Sequence, residues 1–223
     1  MRYDRATIRD DRDGNPVKVI SQFRSPTMKV AFGLKAHSGW AALILLGVDD
    51  DQFEVIDRRR LELVEEDWAK QPYHAAEQLE TKEARQVVKR GISAAHLHAR
   101  RAIRDAVKRV EKNAHSVVGC AVLMGASMPD WTVEQILAVH FRMHKAEGVL
   151  FREALVEAAR HSKLKVVEVP EKTLDEFAVH SLGISSSKLA EQVSTLGKSI
   201  GAPWGKDQKE ATVAAMIALK QLS

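Results

Sequence analysis

Three segments decide the fold: Lys29-Val30-Ala31-Phe32-Gly33-Leu34, the apolar run from Trp40 to Gly47, and the alternating stretch Phe53-Glu54-Val55-Ile56-Asp57-Arg58. Each reads as a strand, and only short connections separate them, the second marked by the turn Asp49-Asp50-Asp51. A parallel crossover needs a dozen or more residues, so the three strands form an antiparallel meander. Downstream the period changes. From about Thr81 the residues Ala84, Val87, Val88, Gly91, Ala95, Ala99, Ala102, Ala106 and Val110 recur near one stripe, predicting a long helix that stops near Lys112-Asn113. Ser116 to Met124 is nearly unbroken in its apolar character, as in a strand buried on both faces and hence parallel. After the turn Met128-Pro129-Asp130-Trp131, Thr132 and Gln135 form a capping box that opens one helix from Val133 to His161. Lys163 to Val169 is a further strand, stopped by Pro170. Helices follow near 173–182, 185–197 and 207–222, and residues 64–82 are irregular, interrupted by Gln71-Pro72-Tyr73. A meander followed by strand–helix–strand alternation predicts an α/β fold, a mixed sheet of antiparallel and parallel strands flanked by helices.

Residues 1–28 stand apart as an N-terminal arm or hairpin, with turn signals at Asp13-Gly14-Asn15-Pro16 and Ser25-Pro26; residues 29–223 form one domain. The chain has 223 residues, 45% of them hydrophobic and 29% charged, enough for a full core. Lys and Arg number 34 against 30 Asp and Glu, a net charge of +4 that permits an acidic partner without requiring one. The single cysteine, Cys120, excludes a disulfide framework and any Cys-rich zinc module. No signal peptide is visible, and the apolar run Trp40–Val48 falls well short of the about 20 residues a membrane helix needs. The expectation is a soluble, cytoplasmic protein with no membrane partner, and composition leaves a homo-oligomer open. No Gly-rich phosphate loop is present, neither GxxxxGK[ST] nor GxGxxG.

This order of elements resembles the ribonuclease H-like superfamily, and within it the RuvC-type Holliday-junction resolvases, over roughly residues 28–222. Phe32-Gly33-Leu34-Lys35-Ala36-His37-Ser38-Gly39-Trp40-Ala41 looks like the family's opening strand, turn and second strand, with Lys35 where the family has its first metal-binding Asp. Asp207-Gln208-Lys209-Glu210-Ala211 resembles the family's closing motif, acidic residues three apart leading into a small-residue helix. The family's carboxylate at the end of the fourth strand has no counterpart in Leu123-Met124-Gly125. The resemblance implies a ribonuclease H-like domain that acts on or binds nucleic acid, as a divergent or inactive metal-dependent nuclease with a degenerate acidic site. The alternative is a non-catalytic interaction or scaffold protein on the same fold. Two-metal hydrolysis needs several carboxylates to hold two ions about 4 Å apart. With Lys35 at the centre, the resemblance leaves room for one divalent ion at most, Mg2+ or Mn2+.

The candidate catalytic residues are Lys35, Glu147, Asp207 and Glu210. Lys35 follows a buried strand at a Gly-flanked turn, where its ammonium can contact phosphate; a solvated turn lysine is the competing reading. Asp207 and Glu210 lie one helical turn apart, and equally suit the first turn of a helix for its dipole. His140, His144 and Glu147 fall at i, i+4 and i+7, on one helix face, and form a candidate metal-ligand set, or else polar residues at a helix boundary. Phe141 occupies the Glu position of HExxH, so that chemistry is not supported. Gly148 within the same helix signals a close approach to another backbone. The candidate nucleic-acid contacts are Arg58, Arg59 and Arg60 at the end of the third strand and Arg100, Arg101 and Arg104 on the long helix, either phosphate binders or a solvated outer face.

Overall fold

The computed structural model describes residues 28–49 and 52–223. The arm expected over 1–28 lies, except for Met28, outside the described residues. The elements, in chain order, are β1 (Lys29–His37), β2 (Trp40–Asp49), β3 (Gln52–Glu62), a 3-10 turn (Asp67–Lys70), α1 (Pro72–Ala76), α2 (Thr81–Lys112), β4 (Ser116–Met124), α3 (Val133–Leu137), α4 (His140–His161), β5 (Val166–Pro170), α5 (Leu174–Leu182), α6 (Ser186–Ile200) and α7 (Lys206–Leu222). The sheet order is β3-β2-β1-β4-β5. β1 pairs antiparallel with β2, and β2 with β3; β4 joins β1 in parallel, and β5 joins β4 in parallel. This is the expected mixed sheet of antiparallel and parallel strands. Its helical crossovers are long because parallel neighbours demand them.

Two cores lie on the two faces of the sheet. Val30, Phe32, Leu34, Leu43, Leu45, Cys120 and Val122 pack under α2 and α4. Ala31, Ile44, Leu46, Ala121 and Leu123 pack under α5, α6 and α7. Successive residues of a strand point to opposite faces, so these two sets interleave in sequence. A third, smaller cluster of Tyr73, Ala76, Ala84, Val88, Ile136, Met143 and Ala146 ties α1 and α3 to α2 and α4. None of the described helices is long and apolar enough to cross a membrane.

The expected single helix Val133–His161 is two helices. α3 opens with the Thr132–Gln135 capping box and closes at Ala138, after which Val139 takes an extended conformation (φ −142°, ψ 112°). A β-branched residue is a weak helix former. The Arg142 guanidinium donates to the freed Gln135 carbonyl at 2.8 Å. α4 therefore starts afresh, with His140 as its first residue. Gly148 meets no foreign backbone: a Cβ there would touch only the Arg152 guanidinium, at 3.3 Å. The missing side chain leaves room for Arg152, which donates to the Gly148 carbonyl at 3.1 Å.

Cys120 is fully buried in the interior strand β4, and burial pushes its thiol up to about 12. A thiol is a poor nucleophile until it ionises. The native protein is expected to resist a thiol reagent such as DTNB and to react with one equivalent after unfolding. Rapid native labelling, followed by absorbance, would contradict the buried placement.

Candidate functional site

The site is set by one close approach. Gly33 lies in β1 on the face covered by α7, and a Cβ there would fall 1.8 Å from the Ala211 carbonyl oxygen. Glycine thus lets the helix backbone rest on the strand. Two residues further along β1, about 6.6 Å on, Lys35 points to the same face. Four residues back along α7, about 6 Å, lies Asp207, with Glu210 next to Ala211. Strand and helix rise nearly match, so Lys35 meets the first turn of α7.

Lys35 is 5% exposed and is one of three buried polar or charged residues among those described, with Glu147 and Thr212. Its Nζ donates to the Glu210 carboxylate and lies 3.3 Å from Asp207 Oδ1 and 3.5 Å from Glu171 Oε1. Burial pulls the ammonium's pKa down, but the hydrogen bond to Glu210 and the surrounding carboxylates more than offset it, so the net shift is upward. The amine stays charged. The carboxylates are held by further cations: Arg152 Nη2 donates to Glu171 Oε2 at 2.8 Å, and Lys206 Nζ is 3.6 Å from Glu210 Oε1. His37 Nε2 stands 3.1 Å from Asp207 Oδ1, close enough for attraction when protonated but not aligned for a hydrogen bond. The His37 ring stacks on Trp40, centroids 4.2 Å apart.

Glu171 was not singled out from the sequence. It follows Pro170 at the carboxyl end of β5, and its amide donates to the Met124 carbonyl at 2.9 Å. It therefore sits beside the end of β4, where Leu123-Met124-Gly125 has no acid. A carboxylate just past a parallel strand that abuts another is the signal that would have found it.

The residues around Lys35 do not fit a pair of Mg2+ or Mn2+ ions. Three acids are present, but an ammonium lies among them, and Arg152 and Lys206 compensate two of them. Two-ion chemistry needs that space and that negative charge free.

His140, His144 and Glu147 do not join this cluster. Glu147 is 2% exposed and accepts from the backbone N–H of His74 at 3.2 Å; its Oε1 and Oε2 each lie 2.9 Å from His74 Nδ1. Glu147 is thus occupied by His74 in place of a shared site with His140 and His144. The three that converge are His74, His140 and His144, one ring nitrogen of each lying within 4.8 Å of the others. His74 comes from α1, remote in sequence, so no periodicity could pair it with α4. The two groups border one open cavity of about 1030 Å³, lined on one side by His144 and on the other by Arg152, Glu171 and Glu210.

The arginines divide. Arg58 donates to the carbonyls of Gly201 (3.0 Å), Ala202 (3.2 Å) and Pro203, so it braces the α6–α7 connection. Arg59 pairs with Asp57, and Arg60 donates to Glu62 at 2.5 Å while covering the Trp40 ring at 4.0 Å. On α2, Arg100 pairs with Glu157, Arg104 lies 3.5 Å from Asp105, and Arg101 is exposed. Arg100, Arg101 and Arg104 line a cavity of about 640 Å³ between α2 and the end of α4.

No protein-family model matches the chain, and no curated protein matches it in sequence. In structure it is similar to Thermus thermophilus RuvC, at 11% identity and a TM-score of 0.48, over 86% of this chain and 93% of that one. It is likewise similar to T. thermophilus RuvC in complex with Holliday junction substrate, at 10% identity and a TM-score of 0.47, over 86% of this chain and 93% of that one.

Proposed function

We propose that this chain is a nucleic-acid-binding protein on a ribonuclease H-like fold, in which Lys35 stands in for catalytic cations and two-ion strand cleavage is lost. The observation that carries the reading is the Lys35 ammonium within 3.5 Å of carboxylate oxygens of Glu171, Asp207 and Glu210. An internal cation there keeps the acids from drawing in Mg2+ or Mn2+. Binding is supported by the outer face of α2, where Lys89, Arg90, Arg100, Arg101, Arg104, Lys108 and Arg109 are exposed. Arg58 contributes less, because its guanidinium is held by three backbone carbonyls, whereas Arg60 with Glu62 and Arg100 with Glu157 form exposed ion pairs that a phosphate can replace.

Recognition of this kind is electrostatic and weak in sequence preference. If Arg100, Arg101 and Arg104 neutralise about three phosphates, the salt slope is near −2.7, and affinity falls about 40-fold between 50 and 200 mM salt. Fluorescence anisotropy on branched, duplex and hybrid substrates measures this. Replacing the three arginines by Ala is expected to flatten the slope. No detectable binding at low salt would remove the nucleic-acid reading and leave the interaction-protein alternative. Cleavage in Mg2+ or Mn2+ would overturn the role given to Lys35.

A further inference from the structure

We infer that His74, His140 and His144 form a binding site for a zinc-class transition-metal ion, with Glu147 as the carboxylate that orients His74. The inference is independent of the nucleic-acid reading. Four observations converge. One ring nitrogen of each histidine lies within 4.8 Å of the other two. His140 Nε2 and His144 Nε2 are 3.1 Å apart, near the about 3.3 Å that two nitrogens span when each sits 2.0–2.1 Å from one tetrahedral zinc. His74 Nε2 is buried with no hydrogen-bond partner, while the ring's other nitrogen, Nδ1, is taken by Glu147. Glu147 is a nearly fully buried carboxylate whose two oxygens both face that Nδ1.

The last two observations belong together. A carboxylate on Nδ1 favours the tautomer with the proton on Nδ1, and leaves the unpartnered Nε2 with a free lone pair, in a ring whose centroid is 5.1 Å from that of His140 and 4.5 Å from that of His144. His140 repeats the pattern more loosely, its Nδ1 lying 3.9 Å from Glu77 Oε1 and its Nε2 turned to His144. A tight contact holds α1 against α2: a Cβ at Gly91 would fall 2.3 Å from Pro72 Cβ, two residues before His74. Without an ion, a buried imidazole nitrogen is left unpaired, which is costly. Three imidazoles suit Zn2+, Co2+, Ni2+ or Cu2+, not the oxygen-seeking Mg2+. Three protein ligands leave a fourth position, as in zinc sites that bind water or substrate. Of the three histidines, His144 also lines the cavity bordered by Arg152, Glu171 and Glu210.

The test is calorimetric titration of the chelator-treated full chain with Zn2+, backed by Co2+ absorption for tetrahedral coordination. The expected result is one equivalent bound in the micromolar range or tighter, unaffected by excess Mg2+. His140→Ala and His144→Ala lie at exposed positions, keep the fold by circular dichroism, and are expected to abolish that binding. Glu147→Gln keeps the side chain's shape and is expected to weaken it by about 10–100-fold. Two results overturn the inference: no saturable binding to the unaltered protein, or equal affinity in a folded His74→Ala variant. The second would mean a two-histidine surface chelate with no built site.

Discussion

Lys35→Met lowers the unfolding free energy by about 3 kcal/mol, read from urea denaturation. Removing one partner of a buried charge group costs about 3–5 kcal/mol, because the remaining charges stay desolvated and uncompensated. The lower end applies here, since the Glu171, Asp207 and Glu210 side chains keep 27, 28 and 20% of their exposure and water screens them in part. The variant also acquires what the unaltered chain lacks, three acids without an internal cation. Mg2+ is therefore expected to restore stability to Lys35→Met, by about 1.4 kcal/mol at tenfold excess over its dissociation constant. It is expected to have no such effect on the unaltered protein. Lys35→Asp adds a fourth acid and binds Mg2+ more tightly still. Equal Mg2+ response in all three proteins would remove Lys35 from the role of cation substitute. pH supplies an independent arm. The Lys35 pKa is raised in the folded state, so its contribution is fully present below the unfolded value of about 10.4. That contribution is lost as pH rises through the folded value. The stability gap between the unaltered protein and Lys35→Met is thus constant near neutrality and closes in strong alkali. A gap that widens with alkali would contradict the assigned pairing.

Gly33→Ala is expected to have the larger structural effect, about 3 kcal/mol or more, at or above the usual range for overpacking. The added methyl would meet the Ala211 carbonyl oxygen at 1.8 Å, the Ala211 carbonyl carbon at 2.8 Å and the Ala215 amide nitrogen at 2.8 Å. All three are backbone atoms, and no rotamer change relieves them. α7 must move away from β1 as a body. Its inner face includes Ala214, Ala215, Ile217 and Ala218, all fully buried, so separation opens voids through the second core. The same shift carries Asp207 and Glu210 from Lys35. Gly33→Ala in a folded form should therefore also lose the Lys35-dependent alkaline step. Unchanged stability would mean that α7 does not rest on β1 at this point.

Strand and helix order was legible because it depends on local period. The meander, the capping box at Thr132, the helix Thr81–Lys112 and the strand Ser116–Met124 all follow from alternation, 3.6-residue recurrence or an unbroken apolar run. The break at Val139 was not, since Ile136, Met143 and Leu150 keep a seven-residue spacing across it. Each candidate at the acidic cluster, Lys35, Asp207 and Glu210, was named from the resemblance of its local sequence to the motifs of the RuvC-type resolvases. Their meeting also needs the Gly33–Ala211 contact, which links positions far apart in the chain. Glu171 and His74 show the limit most clearly. Each is an ordinary polar residue in its local sequence. Each gains a partner only because β5 is laid beside β4, or α1 against α2 and α4. Glu147 illustrates the converse. On its own helix it shares a face with His140 and His144, yet packing buries it and turns it to His74. The sequence by itself determined the strands, most of the helices, their order and the sheet's mixed direction, because these follow from side-chain periodicity and connection length. Only the tertiary structure decided which charges are paired, which nitrogen is left open and which carboxylate faces which ring. Those depend on distances of a few ångströms between elements, which no spacing along the chain encodes.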